Sequence, residues 1–73
     1  MALRKFRARV VAMACQQAID VLREAGRQED RTRIDRIEAL QALATARHAY
    51  SGEMDLSAED YALLGEHWAA VKD

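Results

Sequence analysis

Residues 2–26 read ALRKFRARVVAMACQQAIDVLREAG, and this stretch decides the fold. Its apolar residues recur every three or four positions, the spacing that stacks side chains on one face of an α-helix. Gly26 follows the last of them, and glycine readily adopts the left-handed conformation that ends a helix. The stretch therefore predicts a first helix over about residues 2–25. Its apolar stripe comprises Leu3, Phe6, Val10, Ala14, Ala18, Val21 and Ala25, and Val11, Cys15, Ile19 and Leu22 widen it.

The rest of the chain divides into two more helical segments. The 73 residues include no proline, and Gly26 and Gly52 cut the chain into three parts. Residues 30–51 carry a thinner, alanine-rich stripe, which predicts a second helix packed closely against the first. Ser57, with two acidic residues soon after it, is typical of a helix N-terminus and predicts a third helix over residues 57–72. We expect one all-α, three-helix domain without strands: a long antiparallel helical hairpin plus a shorter C-terminal helix.

The apolar face of the first helix is wider than a helix of a small domain needs. At about 100° per residue, its apolar positions cover over half of the circumference, whereas about a third is usual for a surface helix. A chain of 8.2 kDa has a thin core. Its single cysteine, Cys15, excludes a disulfide within the chain. We therefore expect another protein, or a second copy in a homodimer, to cover part of this face.

Charge is unevenly distributed, although the net charge is only −1. Residues 1–51 hold ten basic and six acidic side chains, whereas residues 52–73 hold one and six. The basic residues at positions 4, 5, 7 and 9 crowd the start of the first predicted helix, where the helix dipole is already positive. Three sources of compensation are open: the acidic C-terminal third of the same chain, an acidic protein partner, or nucleic-acid phosphates.

The residues that usually carry chemistry do not form a catalytic or metal-binding pattern. His48 and His67 lie on different predicted helices without further ligands at a metal-binding spacing. Cys15 has no base nearby and lies on the apolar face, so we interpret it as a core residue. Neither a glycine-rich phosphate loop nor a catalytic signature is present. We predict a protein that is not an enzyme, with no catalytic residue, cofactor or metal.

DNA-binding, membrane and secreted proteins are classes that fit the sequence less well. The second predicted helix mixes acids with its arginines, which is unsuitable for a helix that reads DNA. No stretch approaches the roughly 20 apolar residues of a membrane span. The apolar run after the basic start is also too short for a secretory signal. We expect a cytoplasmic protein without a membrane partner, bacterial by its alanine and arginine usage.

Large side chains indicate where a partner binds. In so small a protein aromatic residues are expected first in the core, yet Met, Tyr and Trp are also enriched at protein interfaces. We predict a docking face with a basic rim. The predicted partner-binding residues are Arg4, Phe6, Arg7, Arg9, Val10, Met13, Tyr61 and Trp68.

In size and architecture the chain resembles the small helical regulators encoded by phages and mobile elements. These include anti-activators that sequester transcription factors and inhibitors that occupy the working surface of a host protein. The resemblance implies a protein partner, such as a transcription regulator. We predict a non-enzymatic regulatory protein that binds and modulates or inhibits another protein. The alternatives are a DNA-binding transcriptional regulator that uses the basic N-terminal segment, and a structural subunit of a homodimer.

Overall fold

Three helices dominate the fold, as predicted. The computed structural model describes residues 4–50 and 52–70, with their side chains except those of Arg4, Tyr50, Ala69 and Ala70. Two long helices form an antiparallel hairpin, and a shorter helix follows near the C-terminus. In chain order the elements are β1 (Arg4–Arg7), α1 (Ala8–Ala25), a first 3₁₀ helix (Gln28–Asp30), α2 (Arg31–Tyr50), β2 (Glu53–Leu56), α3 (Ala58–Leu64) and a second 3₁₀ helix (Gly65–Ala70).

A small two-stranded sheet joins the N-terminal segment to the connection between α2 and α3. β1 and β2 are antiparallel, and in their register Lys5 lies opposite Asp55 and Phe6 opposite Met54. The backbone N–H of Ala8 donates to the carbonyl of Gly52 at 3.0 Å, which fixes the start of α1 to the end of the sheet. The expectation of a chain without strands was therefore wrong, and the first helix begins at residue 8 rather than near residue 2.

Burial and charge explain why residues 4–7 form a strand. Along β2 the residues alternate between exposed and buried, and Met54 and Leu56 enter the core. Pairing with β2 also places Lys5 opposite an acidic residue. In a helix, the same lysine would lie near the positive end of the helix dipole. The strand thus gains cross-strand charge attraction where a helix would have repulsion.

The first helix ends where the sequence predicts. Gly26 adopts the left-handed conformation with φ 65° and ψ 26°, and its N–H donates to the carbonyls of Leu22 and Arg23. In the connection to α2, Arg27 Nε lies 2.8 Å from Oδ2 of the buried Asp30. The second helix, predicted over residues 30–51, runs over Arg31–Tyr50.

The core lies between the hairpin, β2 and α3, and it is built from aliphatic and small side chains. On α1 it is centred on Val11, Cys15, Ile19 and Leu22, which the sequence analysis placed at the side of the apolar stripe. Two members of the predicted stripe, Val21 and Ala25, are exposed instead. Among the described residues, the buried hydrophobic ones are Ala8, Val11, Ala14, Cys15, Ala18, Ile19, Leu22, Ile37, Leu40, Ala44, Met54, Leu56 and Leu64.

Polar contacts across the outside of the hairpin keep the two long helices in register. Arg23 pairs with Glu38, and Gln41 Nε2 donates to Gln16 Oε1 at 2.8 Å. Both contacts are exposed, so each stabilises the fold only modestly. The buried alanines between the helices allow a close approach of the two axes, as the alanine-rich stripe predicts.

The third helix has the predicted N-terminus but a different end. The N–H of Asp60 donates to Ser57 Oγ at 3.1 Å, which confirms Ser57 as the N-cap. The α-helix ends at Leu64, because Gly65 has φ 51° and ψ −125° and the chain continues as a 3₁₀ helix. The predicted end at residue 72 lies outside the described residues.

Arg33 of α2 reaches the C-terminal end of α3. Its Nη2 donates to the carbonyl of Leu63 at 3.1 Å, and a positive charge at this end is favoured by the helix dipole. Among the residues that the structure describes, a Cβ added to Gly65 would meet Arg33 Nη2 alone, at 3.8 Å. The positive φ of Gly65, and not the close approach of another part of the chain, therefore explains the glycine. A second tie between the helices, Arg36 Nη2 to Glu59 Oε1, measures 2.7 Å.

Candidate protein-binding site

Three aromatic side chains from distant parts of the chain meet at the surface. Phe6 comes from β1, Tyr61 from α3 and Trp68 from the second 3₁₀ helix. The ring centroids of Tyr61 and Trp68 lie 5.0 Å apart, those of Phe6 and Trp68 5.4 Å, and those of Phe6 and Tyr61 5.7 Å. We call these three residues the aromatic cluster. Such separations are typical of attractive aromatic pairs, so the rings hold one another in place.

A hydrogen bond fixes the position of the indole within the aromatic cluster. Trp68 Nε1 donates to the backbone carbonyl of Tyr61 at 2.9 Å. This carbonyl belongs to α3, so the bond ties the second 3₁₀ helix back onto the helix that precedes it. The polar atom of the indole is thereby satisfied, and its apolar ring stays available for packing.

The aromatic cluster lies at the edge of the core. Phe6 and Trp68 are half-buried and pack against the core, whereas Tyr61 is 38% exposed. None of the three aromatic side chains that the structure describes is fully buried. The expectation that aromatic residues serve first as core is therefore not met for these three. Clustered apolar side chains at a surface are typical of a binding region.

An open cavity of about 320 Å³ lies against the aromatic cluster. Half-buried Val10 of α1 adds an aliphatic wall, and Lys5, Arg7 and Glu53 of the sheet form a charged rim. The cavity brings together five of the eight predicted partner-binding residues, Phe6, Arg7, Val10, Tyr61 and Trp68.

Of the other three predicted residues, Arg9 and Met13 lie outside the described lining of the cavity. Arg9 is exposed in the first turn of α1, and Met13, 46% exposed, follows one turn after Val10. The backbone of Arg4 lies in β1 opposite Leu56, but its side chain is outside the described part of the chain. The predicted face is thus continuous from the cavity to Met13.

Acidic residues of the same chain face the basic residues of β1. The register places Lys5 opposite Asp55 and Arg7 opposite Glu53. Opposite charges across an antiparallel pair attract, each pair contributing about 0.2–1 kcal/mol. The acidic C-terminal third of the same chain therefore compensates the positive charges of these two residues. Lys5 lies within a strand and not in a helical turn, whereas Arg7 is the N-cap of α1 and lies at the positive end of its dipole.

Cys15 is a core residue, as predicted. Its side chain is fully buried, and burial, followed by the nearby Asp60 carboxylate, raises the pKa of the thiol to about 12. A thiol with so high a pKa stays protonated near neutral pH and is a poor nucleophile. Among residues 4–50 and 52–70, no group of three His, Cys, Asp or Glu side chains is placed to hold a metal ion.

Sequence reasoning missed two members of the cavity, Lys5 and Glu53. Their signal is the period of two in residues 53–56, where charged and apolar residues alternate, matched by opposite charges in residues 4–7. Alternation of this kind is typical of a half-buried strand, and opposite charges favour pairing across two strands. The helical spacing of Phe6 and Val10 concealed this pattern.

Comparison with other proteins adds no assignment. The chain matches no protein-family model, no curated protein and no solved structure. Within the described residues, none of the helices combines the length and the apolar character needed to cross a membrane.

Proposed function

We propose that this chain is a small, non-enzymatic regulatory protein that binds another protein through the aromatic cluster and the cavity beside it. Binding would modulate or inhibit the partner by occupying a surface that the partner needs. A transcription regulator that is sequestered in this way is one such partner, and the cytoplasm is the compartment we propose.

The main support for the proposal is the position of the aromatic side chains, which lie at the surface and not in the core. Its core is filled by aliphatic and small side chains, while Phe6, Tyr61 and Trp68 stack at the edge of an open cavity. Tyrosine and tryptophan are the residue types that contribute most to protein interfaces, because a stiff ring buries much area at little cost in entropy.

The lining of the cavity indicates what kind of partner segment fits. The rings and Val10 suit an apolar side chain, and the rim offers both positive charge, from Lys5 and Arg7, and negative charge, from Glu53. A protein segment with an apolar anchor between charged groups of both signs matches this rim. A nucleic acid fits less well, since acidic residues lie opposite both basic residues and weaken their attraction for phosphate.

Partner capture from the source cell tests the proposal. The tagged chain is compared with Tyr61→Ala, which removes the most exposed ring of the aromatic cluster, and we expect the captured partner to be lost. Leu43→Ala is the matched control, because Leu43 of α2 is 50% exposed and lies outside this cavity. Circular dichroism of both variants establishes that the helices remain folded.

Two further measurements distinguish the modes of binding. Trp68 is the only tryptophan, so its fluorescence reports directly on occupancy of the aromatic cluster. Affinity for a protein anchored by apolar contacts changes little with salt, whereas each phosphate contact makes binding fall steeply. Two results would contradict the proposal: Tyr61→Ala still captures the partner, or the affinity of the wild type for the partner falls steeply as salt is added.

A further inference from the structure

The sheet leaves one edge of β1 without a neighbouring strand in the described part of the chain. The sheet formed there has two strands, and β1 pairs with β2 along one side. The N–H of Ala8 donates to the carbonyl of Gly52, which continues the register of the two strands. In an antiparallel ladder, hydrogen-bonded pairs alternate with non-bonded pairs, so Phe6 bonds to β2 through its backbone and Lys5 does not. The N–H and C=O of Lys5 therefore point away from β2.

The cavity beside the aromatic cluster lies along this outer edge of β1. Three consecutive residues of β1, Lys5 to Arg7, line the cavity of about 320 Å³. Successive side chains of a strand point to opposite faces of a sheet. A cavity that all three residues line must therefore lie beside the strand, and not over one face of it. From β2 the described lining includes Glu53 alone, which places the cavity on the side of β1 away from β2.

The two faces of the sheet present different chemistry at this edge. The aromatic cluster and Val10 lie on the side of Phe6, whereas Lys5 and Arg7 project from the other face. A strand added at this edge would place one side chain against the rings and the side chains on either side of it beside the two basic residues. Adjacent strands are about 4.8 Å apart, so the added strand lies about twice as far from the acids of β2 as from the bases of β1. An apolar residue between two acidic residues therefore fits this edge.

The strand β2 is itself a segment of this kind. Residues 53–55 read acidic, apolar, acidic, and they lie opposite residues 7, 6 and 5 in turn. The two acidic residues are exposed and the apolar one, Met54, is buried. The inner edge of β1 thus already pairs with the sequence pattern that its outer edge favours.

We propose that the outer edge of β1 binds an extended segment of the partner protein, with an apolar residue between two acidic ones, as an added strand of the sheet. Main-chain hydrogen bonds to Lys5 supply affinity, and the apolar side chain that enters the cavity supplies specificity. This inference rests on the proposed function, because it identifies the kind of segment that occupies the same cavity.

A synthetic peptide tests the added strand. The probe is a capped peptide in which glutamate and valine alternate, and the fluorescence of Trp68 reports its binding. Amide hydrogen exchange measured by NMR locates the peptide, because exchange of the Lys5 N–H should slow when the peptide binds. Asp55 is the internal control, since its N–H points from the other edge of the sheet and should keep its rate. A peptide with lysine in place of glutamate should bind about tenfold more weakly.

Two substitutions at position 5 distinguish the backbone from the side chain. Lys5→Pro removes the outward N–H without removing a hydrogen bond to β2, and proline is tolerated at the edge of a sheet. We expect it to weaken peptide binding about tenfold. Lys5→Ala is the matched control, because it keeps the N–H and removes only the charged side chain, so affinity should fall about threefold or less. Circular dichroism of both variants establishes that the helices remain folded.

Three results would overturn the added strand. The glutamate–valine peptide fails to bind at millimolar concentration, it binds without slowing exchange at Lys5, or Lys5→Pro binds it as well as Lys5→Ala does. The proposed function is tested separately by capture of the partner. Loss of capture in Tyr61→Ala, together with full capture by Lys5→Pro, would support binding by the aromatic cluster and exclude the added strand.

Discussion

The ring of Phe6 stacks on that of Trp68, with 5.4 Å between centroids, although the two residues lie near opposite ends of the described chain. This contact joins β1 to the second 3₁₀ helix, and the sheet joins β1 to β2. The N-terminal strand is therefore held from two directions. The shape of the candidate site consequently depends on both contacts.

Reversal of charge in the sheet should destabilise the fold. Lys5→Glu replaces an attraction to Asp55 with a repulsion, and we expect a loss of about 1 kcal/mol in the free energy of unfolding. The double variant Lys5→Glu with Asp55→Lys should recover most of the loss. Urea denaturation of the wild type, the two single variants Lys5→Glu and Asp55→Lys, and the double variant, in low and high salt, measures the effect. Equal losses at both salt concentrations would contradict an electrostatic origin.

Removal of the N-cap of α3 should cost about 1 kcal/mol. Ser57→Ala leaves the N–H of Asp60 without its partner, Ser57 Oγ. Ser57→Asp is the matched control, because aspartate is an equally good N-cap and its charge suits the start of a helix. Thermal denaturation of the three proteins compares them, and a stable Ser57→Ala variant would show that the cap contributes little.

Substitution of Gly65 should be costly because of its backbone conformation. An L-residue at φ 51° is strained, and we expect Gly65→Ala to lower the free energy of unfolding by about 1–2 kcal/mol. Within the described part of the chain, the added methyl would come near one atom, Arg33 Nη2. The same substitution in an Arg33→Ala background therefore separates strain from steric contact. An unchanged cost assigns it to the backbone, and a cost that disappears assigns it to the arginine.

Stability should decline at alkaline pH because of Cys15. The pKa of its thiol is raised from 9.0 to about 12 in the folded protein. Below pH 9 the thiol is protonated in both states, so the stability is fully present. Between pH 9 and 12 the unfolded chain loses the proton first. The free energy of unfolding then falls by up to about 1.4 kcal/mol per pH unit.

The variant Cys15→Ala isolates this contribution, because tyrosine and lysine side chains also titrate in this range. Its stability should depend less steeply on pH than that of the wild type between pH 9 and 12. Denaturant midpoints at several pH values supply the comparison. Identical slopes for the two proteins would show that the thiol does not control the alkaline transition.

Local signals in the sequence predicted the helical part of the fold well. Gly26 and Ser57 act through their own backbone and immediate neighbours, so their roles as helix end and N-cap could be read directly and are confirmed. The same holds for Cys15, whose apolar neighbours at helical spacing indicate burial. Each of these predictions depends on a few adjacent residues.

Long-range pairing could not be read in the same way. Residues 4–7 form a strand only because residues 53–56 lie beside them, and four residues carry too short a pattern to oppose the helical spacing that continues into α1. The rotation of α1 about its axis has a similar cause. Alternative apolar stripes were present, and contacts with α2 and α3 select Val11 and Leu22 over Val10 and Val21. The aromatic cluster was predicted as a set of residues, but its stacked geometry depends on the sheet.

Pairing of β1 with β2 encloses the whole helical hairpin in one loop. Closing so long a loop costs more conformational entropy than closing a short β-hairpin. Helical turns, by contrast, form from local contacts. We therefore expect the strands to join only after the transition state for folding. Substitutions such as Lys5→Glu should accelerate unfolding in stopped-flow experiments and leave the refolding rate nearly unchanged. The pairing of β1 with β2 then determines how long the native state persists, and not how fast it forms.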